Sequence, residues 1–289
     1  PMTRRRLIPE SAFAGTKYAQ SLLAWRRQIL RDTVARFDGE GLSHYRALAQ
    51  TNLKRWQSQA KPKTATVVVL PNDWGEVALQ LTKQHGAIFA VLNMANAVVP
   101  GGGYLEGLGA QEENMFRRTD CHLSINDEQL QPDGQRYQRE MTECVEGCSG
   151  TVYLDHEEPR VCIRGAETIG RLAGYEWLPE SEVFPFYELR AAARDYRHND
   201  TFDLEDARKR ICAQLDTLIQ AQQRHAVLGA SGCGAFANPP ATIAKLYSEE
   251  LARRQGAFDC VAFAVLHTGY GLGNYPVFHR ELHQDYQKQ

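Results

Sequence analysis

The chain has 289 residues, 43% of them hydrophobic and 24% charged, which suits one large folded domain or a domain with an extension and excludes a disordered polypeptide. A formal net charge of −2 provides no global basic field, so neither direct nucleic-acid binding nor a membrane surface is expected. The seven cysteines (121, 144, 148, 162, 212, 233 and 260) are odd in number and scattered. No apolar segment follows the basic Arg4, Arg5 and Arg6, and none approaches the ~20 residues of a spanning helix, so a cytoplasmic protein with reduced thiols and no secretory signal is expected.

In chain order, residues 16–37 set Leu22, Trp25, Ile29 and Phe37 at helical spacing, with Leu23, Leu30 and Val34 alongside, and predict an amphipathic helix. Gly39 and Gly41 break it, and a second helix follows over 42–57 with Tyr45, Leu48, Leu53 and Trp56. The polar SQAKPKTAT marks a junction, so residues 1–63 are expected to form a helical extension packed on a domain of residues 64–289. There the pattern changes to a β-branched strand (65–70), a helix closed by Gly86 (73–86) and a second buried strand (87–93). TVYLDH and RVCIRG read as short strands, and FPFYELRAAARDYR as a strand continuing into a helix. The C-terminal part gives a helix near Asp203 (203–223), a strand (225–230), the loop SGCGAFANPP, a helix ending at Gly256 (241–256) and a buried strand (258–267). Continuous apolar runs alternating with helices predict an α/β domain whose parallel or mixed sheet is covered on both faces.

Two glycine loops follow buried strands, where open α/β sheets bind ligands. In the later one, Gly229, Gly232 and Gly234 permit positive φ and close backbone approach, and successive N–H groups there would form an anion nest. Asn238, Pro239 and Pro240 read as an N-cap and helix start beside it. A tight turn packed with small residues explains this loop equally well. The earlier loop lies in VLNMANAVVPGGGYLEGLGAQEENMFRRTD, residues 91–120. Gly101, Gly102 and Gly103 would let the chain pass close to a diphosphate or sugar, and Gln111, Glu112 and Glu113 open a short helix with Phe116. Acidic residues at a helix start are by themselves ordinary dipole matching. The combination of strand, Asn93, Asn96, triple glycine and Gln-Glu-Glu is more specific.

This constellation resembles the microbial type of the poly(ADP-ribose) glycohydrolase branch of the macrodomain family, whose signature joins a triple glycine to Gln-Glu-Glu, here with seven residues between. GASGCGAFANPP is similar to that family's diphosphate loop and FDCVAFAV to its following strand, and the resemblance runs from about Thr64 to Leu266. It implies a macrodomain-like three-layer α/β/α domain with a mixed sheet, beside an N-terminal helical extension. It further implies ADP-ribose on modified proteins as ligand, hydrolysis at C1 of its ribose, and no metal or cofactor. By the same resemblance Glu113 is the catalytic glutamate, Glu112 holds a ribose hydroxyl, and Asn96 binds ribose, with Asn93 and Gln111 in the substrate-binding set. The three glycines face the diphosphate and distal ribose, and Ser231, Gly232, Cys233, Gly234, Ala235 and Phe236 wrap the diphosphate.

The segment NMFRRTDCHLSI departs from the family pattern. Asp120 lies seven residues after Glu113, which on a continued helix is roughly the same face, and so is either a third catalytic acid or a solvated residue beside Arg117 and Arg118. Extra carboxylates suit a guanidinium leaving group, which makes a mono-ADP-ribosyl-arginine hydrolase the first alternative. A non-catalytic ADP-ribose reader is the second, and the intact Gln-Glu-Glu argues against it. Cys144, Cys148, His156 and Cys162 lack the spacing of a zinc framework and read as idle thiols, and Cys233 as a small loop residue. Phe236, Phe263 and Tyr275 are the candidates for stacking on adenine.

Overall fold

A computed structural model describes residues 17–61, 65–169, 171–198, 201–266 and 273–286. The first two helices are α1 (Lys17–Arg36) and α2 (Gly41–Gln57). The chain continues through β1 (Thr66–Leu70), α3 (Trp74–His85), β2 (Ala90–Met94), α4 (Gln111–Arg118), α5 (Arg139–Val145), β3 (Tyr153–Cys162) and β4 (Phe184–Ala191). It ends with α6 (Leu204–Gln220), β5 (His225–Leu228), α7 (Pro240–Arg253), β6 (Cys260–Ala264) and α8 (Tyr275–Tyr286).

The strands form one six-stranded sheet in the order β1-β6-β5-β2-β4-β3. Four pairings are parallel, and β3 runs antiparallel to β4 at the edge. The pleat divides the apolar strand residues between two cores. Ala90 and Leu92 of β2 face the side packed by Ile211, Leu215, Ile243 and Leu246 of α6 and α7. Val91 faces the opposite side with Trp74, Val77 and Leu81 of α3 and Met115 and Phe116 of α4. The result is the expected mixed α/β architecture of helix, sheet and helix layers.

Local signals account for several boundaries. The Asp73 carboxylate accepts the Gly75 and Glu76 amides at the start of α3, and Gly86 ends that helix at φ 61°. Asp203 caps α6 in the same way through the Glu205 and Asp206 amides. At α7, however, Pro239 stands at the cap position and no side chain caps the helix. Asn238, expected there, instead donates to the carbonyls of Arg194, Gly232 and Phe236.

Other differences have tertiary causes. TVYLDH and RVCIRG belong to one strand, β3, whose pairing with β4 shifts register between Asp155 and Arg160. The run after β4 does not become helical. Its amides go elsewhere, Ala192 N–H to Val145 O and Tyr196 N–H to Phe236 O, which pins the segment to α5 and to the later glycine loop. Helix α7 stops at Arg253, before Gly256. The N-terminal helices pack on the rest of the fold: Asn52 of α2 donates to Glu180 O and Val183 O just before β4, and the Thr33 hydroxyl of α1 to Arg117 O of α4. Among the described residues no helix is long and apolar enough to cross a membrane.

Candidate active site

Strand β2 ends at Met94, and the chain returns to it seventeen residues later through Gln111. The Gln111 amide donates to Leu92 O at 2.8 Å and accepts from Met94 N–H at 2.9 Å, bracketing the start of α4 to the strand end. Both polar ends of Gln111 are therefore engaged within the protein.

The glycine loop then folds onto the two carboxylates. Glu112 accepts the Asn96 amide at 2.7 Å on Oε2 and the Gly101 amide at 3.1 Å on Oε1. Glu113 accepts the Gly103 amide at 2.9 Å on Oε1. The Gly102 amide goes to Val99 O. All three glycine N–H groups are thus taken by acceptors within the protein. Gly102 is needed because the acids are so close, a Cβ at Gly101 would meet the Tyr104 and Phe116 rings, and the two glycines adopt φ 56° and 75°. Asn96 spends its side-chain oxygen on the Val98 and Val99 amides, shaping the loop.

The two glutamates differ. Burial, reinforced by the charges of Glu113 and Glu188, raises the Glu112 carboxyl well above its usual range, against the pull of the Asn96 N–H and Arg190. Glu113 is 8% exposed, and its second oxygen, Oε2, is buried with no hydrogen-bond partner among the described residues. One oxygen is fixed by a backbone amide and the other has no partner among the described residues.

Beneath the acids lies a polar layer that the sequence reading missed. Arg190 donates to Glu188 Oε2 at 2.9 Å, to the Tyr137 hydroxyl at 2.9 Å and to Ser124 Oγ at 3.1 Å, and the first two partners and Arg190 are essentially unexposed. Asn93, level with Arg190 in the sheet, donates to Glu188 Oε1 at 2.8 Å. Burial works to raise the Glu188 carboxyl, but Arg190 and the hydrogen bonds from Arg190 and Asn93 outweigh it and hold the group below the usual carboxylate range. Asn93 is 0% exposed, its Nδ2 braces this layer, and its Oδ1 is buried with no hydrogen-bond partner among the described residues. The available signal was two charges at alternate positions of an otherwise apolar strand.

Asp120 does not join the acid pair. Helix α4 stops because Thr119 is extended (φ −138°) and pairs with Cys162 at the sheet edge, and a 3-10 turn begins at Asp120. The buried Asp120 carboxylate accepts the Val161 amide at 2.8 Å and Arg46 at 3.3 Å. Arg117 and Arg118 are also buried, Arg118 donating to Asp73 at 2.5 Å and to Asn114 at 2.9 Å.

The later loop leaves β5, the neighbour of β2, and Gly229 lies against the Met94 side chain, so the two loops meet at one sheet end. The Ser231 and Cys233 amides are used in turns, whereas the amides of Gly234, Ala235 and Phe236 donate to none of the described residues. Gly232 turns the loop at φ 72°, where a Cβ would stand 2.5 Å from Asn238 Nδ2. Burial pushes the Cys233 thiol up to about 12, which suits a packing role. Phe263 is enclosed between Tyr247 and Phe278, leaving Phe236 and Tyr275 as the partly exposed aromatics. No three metal-ligating side chains cluster among the described residues, Cys144, Cys148, His156 and Cys162 included.

The family model for the microbial-type PARG catalytic domain matches residues 30–149, which contain both the glycine loop and α4. No curated protein matches the chain. Among solved structures, poly(ADP-ribose) glycohydrolase (PARG) from Thermomonospora curvata is 22% identical, with 89% of this chain and 98% of that chain covered and a TM-score of 0.59. The same enzyme bound to the inhibitor ADP-HPD gives 22%, 88%, 98% and 0.58. PARG from Deinococcus radiodurans in complex with ADP-ribose is 26% identical, with 84% and 92% covered and a TM-score of 0.56.

Proposed function

We propose that this chain, a macrodomain-like member of the poly(ADP-ribose) glycohydrolase branch, binds ADP-ribose on modified proteins and hydrolyses the glycosidic bond at C1 of its ribose. The observation that carries this is Glu113, with Oε1 held by the Gly103 amide and Oε2 buried and unpartnered. A buried carboxylate oxygen without a partner is costly and calls for an explanation, and a reaction partner supplies one.

Cleavage at C1 passes through an oxocarbenium-like transition state in which the leaving oxygen must gain a proton and water must lose one. Glu113 Oε2 serves both transfers, first as acid and then as base. Glu112, anchored by two amides, fixes the loop and presents the wall for the ribose hydroxyls, with Asn96 beside it. The amides of Gly234, Ala235 and Phe236 take the diphosphate. The neighbouring strands β2 and β5 bring that site to the acids. The scheme requires no metal or cofactor. Residues 1–63 act as an extension to the catalytic domain, and an odd set of seven cysteines with no disulfide among them fits a reducing cytoplasm.

A ribose-linked poly chain is favoured over an arginine linkage because Asp120, the extra carboxylate that would have held a guanidinium, is committed to Val161 and Arg46. A pure reader would have no use for the free Glu113 oxygen. The test is chromatography of free ADP-ribose released from a poly(ADP-ribosyl)ated protein and from a mono-ADP-ribosyl-arginine protein, side by side with EDTA present. Release from the poly chains supports the proposal. Release from arginine alone returns the first alternative, and binding without release returns the reader.

A further inference from the structure

We propose that Tyr175 is a positioning residue for Glu113, acting through Asn114 and Arg117 on α4; the inference rests on the glycohydrolase reading. Tyr175 lies in the segment between β3 and β4 and is 0% exposed. Its φ is 56°, a left-handed conformation that a bulky side chain holds only where its surroundings over-determine it.

Its hydroxyl uses its full bonding capacity. It accepts from Arg117 Nε at 2.9 Å and Asn114 Nδ2 at 3.1 Å, and donates to Glu167 Oε2 at 2.7 Å. Asn114 follows Glu113 directly, and Arg117 is one helical turn beyond it on the same face. Two further bonds carry the network into the loop that joins the glycines to α4. Arg117 Nη1 donates to Leu108 O at 2.9 Å, and Arg26 of α1, which grips Glu167 at 2.6 Å, donates to Gly107 O at 3.4 Å. Leu108 in turn packs where a Gly103 side chain would be, 2.4 Å from a Cβ there, and Gly103 N–H holds Glu113 Oε1. The phenol therefore ties together the rotation of α4 and the height of the loop, the two quantities that aim the Glu113 carboxylate.

Replacing Tyr175 with Phe keeps the ring on Trp25 but removes the hydrogen-bond junction. The experiment measures ADP-ribose release from a poly(ADP-ribosyl)ated protein, ADP-ribose affinity by calorimetry, and amide hydrogen exchange, in wild type and Tyr175→Phe. The expected result is a kcat lower by about tenfold or more, with KM and the ADP-ribose Kd within about twofold. The Gly103 amide should exchange about tenfold faster while the amides of the 229–236 loop are unchanged. If Tyr175→Phe does not fold, Arg26→Gln opens the same network from its outer end and should shift kcat and Gly103 exchange in the same direction. A kcat within about twofold of wild type overturns the proposal, as does a parallel loss of kcat, affinity and protection in both loops. If wild type binds ADP-ribose but releases none, the glycohydrolase reading fails on its own. Gly103 exchange then decides the role of Tyr175, and an unchanged rate in Tyr175→Phe refutes it.

Discussion

A Cβ on Gly102 would stand 2.5 Å from Glu113 Oε1 and 3.1 Å from Glu112 Oε2. Glycine at position 102 is thus required by the carboxylates it covers. Gly102→Ala should displace both acids and lower kcat by about a hundredfold. Gly150→Ala is the control: its φ of 85° is as unfavourable for alanine, but nothing lies within 4 Å of the added Cβ. It should reduce stability by about 1 kcal/mol and leave kcat near wild type. Steady-state kinetics and thermal melts on both variants check this; equal kcat losses would mean that backbone strain, not the clash with the acids, is responsible.

Glu113→Gln keeps an oxygen for the Gly103 amide but ends proton transfer at the second position. ADP-ribose release should fall by about a thousandfold or more, while the ADP-ribose Kd stays within about threefold. Calorimetry alongside turnover measurements separates the two. Binding lost as fully as turnover would make Glu113 an anchor for the ligand and not an acid.

Asp120→Asn separates a structural acid from a catalytic one. With its carboxylate on Val161 N–H and Arg46, the substitution should leave kcat within about threefold of wild type and reduce stability by about 1–3 kcal/mol. A near-complete loss of turnover in a variant that melts like wild type would place Asp120 in the reaction and reopen the arginine linkage.

Much of the fold was legible because period and punctuation agreed. The apolar runs of β1, β2, β5 and β6 could only be buried strands, and Asp73, Gly86 and Asp203 mark helix ends by chemistry that acts within a few residues. The acid pair was legible through the resemblance that the triple glycine and Gln-Glu-Glu carry together, and the structure sets the Gly101 and Gly103 amides on those acids. What escaped depends on partners distant in sequence. The alanine-rich run after β4 has helical propensity, yet its amides are claimed by Val145 and Phe236. The continued helix expected to reach Asp120 ends at Arg118, because Thr119 is drawn to Cys162. Glu188 and Arg190 read as ordinary strand charges until the register sets Asn93 beside them.

The burial of Glu112 carries a pH signature. Its carboxyl is raised in the folded state, chiefly by desolvation and then by Glu113. Below the unfolded value both states are protonated and the shift has no effect. As pH rises past that value the unfolded chain ionises first, so stability is lost progressively until the folded group also ionises. Glu112→Gln sacrifices an acceptor at every pH but removes this titration. Asp120, raised mainly by burial, titrates in the same direction and is retained in the variant, so its contribution cancels in the comparison. Urea unfolding of both proteins from about pH 5 to about pH 8 should show wild type losing stability relative to Glu112→Gln as pH rises. A difference that stays constant over that interval would mean that Glu112 ionises as an ordinary carboxylate, its two amide donors and Arg190 compensating fully for burial.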